Sequence, residues 1–85
     1  MKPADIVARI RAALPDAEVS LTDLTGTEDH WQATVISSAF AGKAPLARHR
    51  MVMAALAAEL RGPIHALTLD TRTPDEPAPP PRAST

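Results

Sequence analysis

Cysteine is absent from this 85-residue chain, which excludes disulfides, thiolate nucleophiles and metal sites built wholly from its own sulfur. Metal chemistry must therefore draw on histidine, on carboxylates, or on ligands from another molecule. Aromatic residues are nearly absent too: Trp31 and Phe40 are the only two, so little is available to stack on nucleic-acid bases. No segment approaches the roughly 20 apolar residues of a membrane span. The residues after Lys2 also lack the apolar run of a secretory leader, so a cytoplasmic address without membrane contact is the expectation. Charge of one sign is lacking as well. A formal net charge of −1 gives the whole chain no long-range pull toward nucleic acid or anionic lipid.

What is present suffices for one small domain. A hydrophobic content of 45% supports a single core, but a chain this short has a thin stability margin and no room for a large enclosed cavity. Charge is unevenly distributed. Between Ala41 and Arg61, Lys43, Arg48, Arg50 and Arg61 face Glu59 alone, a local balance of +3.

Ile6, Val7, Ile10 and Leu14 recur at helical spacing between Pro3, which suits a first turn, and Pro15, which cannot continue one. A helix of about three turns is predicted there. Val19 and Leu21 then alternate with Glu18, Ser20 and Thr22, and Trp31, Ala33 and Val35 alternate with Gln32 and Thr34. With the polar stretch around Gly26 between them, these runs predict an antiparallel hairpin. The segment Ser37–Ala44 has no clear periodicity and room for one short helical turn. Pro45 suits the start of a central helix in which His49, Val52, Met53, Leu56 and Leu60 form one stripe, with Gly62 expected in the left-handed cap position. A final strand is predicted over Ile64–Thr71, with His65, Leu67 and Leu69 on one face. A helical crossover between the second and third strands makes them parallel if they are neighbours. The predicted fold class is a single small α/β (α+β) domain in the order α-β-β-α-β, with a three-stranded mixed sheet and helices on one face. The domain is expected over residues 1–73, and residues 74–85, with five prolines in twelve positions, are expected to form a disordered tail.

The combination of Ser37-Ser38-Ala39-Phe40-Ala41-Gly42-Lys43, the triplet Arg48-His49-Arg50 and Ile64-His65-Ala66-Leu67, at these separations and in this element order, resembles the BolA-like family. The resemblance runs from about Ile6 to Pro74 and implies a fold of the type II KH kind. Two local features depart from the common pattern. An aromatic usually follows the Thr-Pro pair, whereas Thr73-Pro74 runs here into Asp75, Glu76 and Pro77. The variable hairpin loop carries cysteine or histidine in the family, and His30 is the candidate here, as in the histidine-loop branch.

The resemblance also bears on function. It implies a non-enzymatic partner of a monothiol glutaredoxin, sharing a [2Fe-2S] cluster whose thiolates come from the glutaredoxin and glutathione, in iron-sulfur trafficking or iron homeostasis. Without the resemblance, His65 on an apolar strand face would be read as a packed histidine. With it, His65 becomes the first choice of ligand. His30 is either a solvated loop residue or the second metal contact, and parallel second and third strands would start both histidines at the same sheet end. His49 shares the helical stripe and is read as structural, while Phe40 and Gly42 are read as structural or interface positions.

The alternative is a DNA-binding transcriptional regulator. Lys43, Arg48 and Arg50 would then hold phosphates near the helix start. Gly42-Lys43-Ala44-Pro45 occupies the place of the KH-type G-x-x-G loop but lacks its second glycine. Few cations and scarce aromatics predict weak, salt-sensitive binding to duplex DNA. A homodimer of the isolated chain is compatible with the sequence. Enzymatic chemistry has little support, because the aspartates are scattered and Ser37 and Ser38 lack a motif that would activate them.

Overall fold

The computed structural model describes residues 2–28, 30–62 and 66–76. Helix α1 spans Pro3–Ala13, strands β1 and β2 span Glu18–Asp23 and His30–Ile36, and a 3-10 turn follows at Ser38–Phe40. Helices α2 (Pro45–Ala55) and α3 (Ala57–Leu60) then lead to strand β3 at Ala66–Arg72. Among the described residues the strands form one sheet in the order β1-β2-β3, with β2 antiparallel to β1 and parallel to β3. This is the small α/β arrangement with a mixed sheet that the periodicity predicts.

Alternation along the strands decides what the sheet buries. Trp31, Ala33 and Val35 of β2 face the helices and pack with Ile6 and Ile10 of α1, Leu14 just after it, Phe40 of the 3-10 turn, and Val52 and Leu56. Val19 and Leu21 of β1 and Leu67 and Leu69 of β3 flank this row in register. Each large apolar side chain enclosed here contributes roughly 1.5–3 kcal/mol relative to exposure, so this one layer of contacts holds the domain together. The opposite sheet face is polar and open, carrying Ser20, Thr22, Gln32, Thr34 and Thr68.

Two expectations are corrected. The central helix is not one continuous stripe: it breaks at Leu56, whose φ of −108° and ψ of 16° fall outside helical values, and Met53 is 41% exposed. Val52 and Leu56 already fill the space above β2, and Met53, about 100° around the helix from Val52, is left at the exposed edge. Gly62 does not take the left-handed conformation. Arg61 and Gly62 donate to the carbonyls of Ala58 and Glu59, both at 3.2 Å, ending the helix in tight turns, and among the described residues positive φ occurs instead at Gly26, Glu28 and Gly42. Just past the expected boundary, Asp75 and Glu76 accept hydrogen bonds from Thr73. The rest of the expected tail, from Pro77, lies outside the described residues.

Candidate functional site

The rim formed by the starts of β2 and β3 is built from the hairpin loop upward. Asp23 ends β1, and its carboxylate accepts from the backbone N–H groups of Thr25 (3.2 Å), Gly26 (2.9 Å) and Glu28 (3.0 Å). This side chain replaces the backbone partners that a tight turn would supply. Trp31 is buried, and its indole N–H donates to the Glu28 carbonyl at 3.1 Å, fixing the loop to the core. His30 therefore leaves a braced loop. Its carbonyl accepts from Leu24 N–H at 2.9 Å, and the residue is half-buried at the first position of β2.

His30 pairs in parallel register with Ala66, the first residue of β3. The two strands begin together. His30 shares the open sheet face with Ala66, whereas Leu67 and Leu69 lie on the helix-packed face with their partners Trp31 and Ala33. His65, the first-choice ligand, lies outside the described residues, as does Ile64 at the predicted start of the last strand. His49 is half-buried on α2 rather than enclosed, one turn before Val52.

The Arg-His-Arg triplet divides its work in a way its spacing does not reveal. Arg48 turns inward, and its guanidinium holds the Glu76 carboxylate in a two-pronged pair at 2.6 and 3.0 Å. Its Nε donates to the Lys43 carbonyl at 2.9 Å. Glu76 in turn accepts from Thr73 N–H at 2.8 Å, and the Arg48 pairing is the main reason its carboxyl sits at about 2 instead of 4.5. Arg48 thus ties the loop after Gly42 to the chain's exit from β3. A phosphate reaching Arg48 would have to compete with Glu76 for the fork. Lys43 and Arg50 remain exposed.

Asp16 was not legible as important. Its carboxylate accepts from the hydroxyls of Ser37 (2.6 Å) and Ser38 (2.5 Å) and from Ser38 N–H (2.9 Å). These bonds, the Ser37 hydroxyl first, hold its carboxyl at about 2 against an ordinary 3.8. The fully buried Ser37 joins the α1–β1 connection to the end of β2, which assigns both serines to structure. A cleft of about 210 Å³ lined by Asp16, Glu18, Ile36 and Pro74 lies at this end, opposite to His30. Only a following Ser-Ser pair across the hairpin could have marked Asp16 in the sequence.

The family model described as BolA-like protein matches residues 10–76. The chain belongs to the BolA-like family. Human BolA-like protein 1 is 57% identical over 49 residues, covering 58% of this chain and 36% of that protein, so the match spans little more than a third of the relative's length. The Escherichia coli K12 protein named DNA-binding transcriptional regulator BolA is 35% identical over 75 residues, covering 80% of this chain and 71% of that one. The solved structure of BolA1 from Arabidopsis thaliana has a TM-score of 0.80 at 26% identity, covering 88% of this chain and 94% of the other. His30, Lys43, Arg48, Arg50 and Glu76 all fall inside the matched BolA-like region.

Proposed function

We propose that this BolA-like chain is a non-enzymatic adaptor that pairs with a monothiol glutaredoxin and helps ligate a [2Fe-2S] cluster in iron-sulfur trafficking or iron homeostasis. The observation that carries the reading is the parallel register opening β2 and β3 at one end of the sheet, with His30 opposite Ala66. His65, adjacent to Ala66 in sequence, is the principal ligand in this proposal and His30 the second contact. The chain has no cysteine, so its own donors to such a centre would be imidazole nitrogens and the thiolates must come from another molecule. Thiolates from the glutaredoxin and glutathione would complete the ligand set. Imidazole in place of thiolate raises a cluster's reduction potential and makes its hold sensitive to pH.

The test is reconstitution of the full chain with glutaredoxin, glutathione, iron and sulfide. A heterodimer is expected whose visible circular dichroism differs from that of the glutaredoxin homodimer, and His65→Ala should shift that spectrum and shorten the cluster's lifetime. An unchanged spectrum and lifetime in His65→Ala would end the ligand assignment.

DNA binding is the second reading, favoured by the name of the Escherichia coli relative. Lys43 and Arg50 are exposed beside the start of α2, but the engagement of Arg48 by Glu76 removes one of the three cations the reading needs. That loss places it second.

A further inference from the structure

We propose that the outward face of α2 is a docking surface for an acidic, amphipathic segment of a partner protein. Leu46, Arg50 and Met53 follow one another at i, i+4 and i+7, so they form an exposed stripe flanking the side of the helix that buries Val52. Leu46 is 61% exposed and Met53 41% exposed, while Ala57 prolongs the stripe at small size. A solvated helix face ordinarily carries charges of both signs. This one carries none that is negative.

Lys43 precedes the helix, Arg50 lies within the stripe and Arg61 follows α3, and all three are exposed. The sole carboxylate of the segment, Glu59, is turned away toward Arg9 at 3.5 Å and its side chain is only 13% exposed. The surface therefore presents an apolar strip with a basic rim, the complement of a helix with an apolar strip and an acidic rim. A protein is favoured over nucleic acid because no aromatic lies on the stripe and Arg48, which would complete a phosphate cradle, is held by Glu76. It is favoured over a lipid surface because three cations spread from Lys43 to Arg61, on a chain of net charge −1, give little attraction to anionic lipid. Cluster binding plays no part in this inference.

The test uses the full, metal-free, isotopically labelled chain and a designed probe. The probe is a helical peptide of about four turns with a leucine stripe flanked by glutamates, and its control has the same composition in scrambled order. Saturable amide shifts confined to the segment from Lys43 to Arg61 are expected with the ordered peptide. Arg50→Glu and Met53→Ser, both at exposed positions that leave the core intact, should each weaken binding about tenfold. The proposal falls if the ordered peptide shifts nothing there or if the scrambled peptide binds equally. It also falls if phosphatidylglycerol vesicles or duplex DNA perturb these amides more strongly than the peptide does. Because His65 is untouched and no metal is present, failure here leaves the cluster reading standing.

Discussion

Gly42 and Gly62 show how far a residue's role depends on the backbone it meets. Gly42 sits at φ +73°, where a Cβ is disfavoured even though nothing lies within 4 Å of the position it would occupy. Gly62 has the same open surroundings without the positive φ. Gly42→Ala should therefore cost about 1 kcal/mol in urea unfolding, whereas Gly62→Ala should be neutral or stabilise by a few tenths. Equal losses for the two would contradict the backbone assignment. The contrast was unreadable from sequence, where Gly62 after a helical stripe is the more conventional cap. Arg48 teaches the same lesson. Three residues of basic sequence invited one shared role, yet Arg48 closes on a carboxylate 28 positions away while Arg50 points to solvent.

Among the elements, the α2–α3 segment is the most informative. Its two sides are both apolar, so periodicity could not tell which one the sheet would claim. Packing decided: Leu56 is fully buried against the β2 row although it sits in the break between helices, and Met53 is exposed. Leu56→Ala should cost about 3 kcal/mol through transfer and cavity effects, and Met53→Ala within about 0.5 kcal/mol. Thermal or urea unfolding of the two variants checks this directly. A large loss for Met53→Ala would place it in the core and remove the stripe on which the docking surface rests. The hairpin was legible because period-two alternation and the glycine break agree. The Asp23 brace within it was not, since one aspartate among several loop acids has no distinguishing neighbour.

For the whole molecule, two carboxylates couple distant chain segments and set its response to acid. Asp16 and Glu76 both titrate near 2 in the folded protein, against ordinary values of 3.8 and 4.5. The unfolded chain therefore binds more protons in this interval, so their contribution is complete above about pH 5 and is lost as pH falls toward 2. Denaturant titrations at pH 7 and pH 3 should show a marked loss of stability at the lower pH, and a combined Asp16→Asn, Glu76→Gln variant should show a smaller one. An undiminished acid sensitivity in that variant would assign the effect to other groups. Local periodicity determined the order of elements, the hairpin, the crossover and so the mixed sheet, because side-chain alternation and helical spacing are properties of neighbouring residues. Motif spacing likewise carried the BolA-like membership, and the absence of cysteine required any thiolates to come from outside. Only the tertiary structure decided which helix face was buried, which arginine was consumed, and that Asp16 and Glu76 were anchors. Those outcomes depend on contacts between residues more than twenty positions apart, which no local pattern encodes.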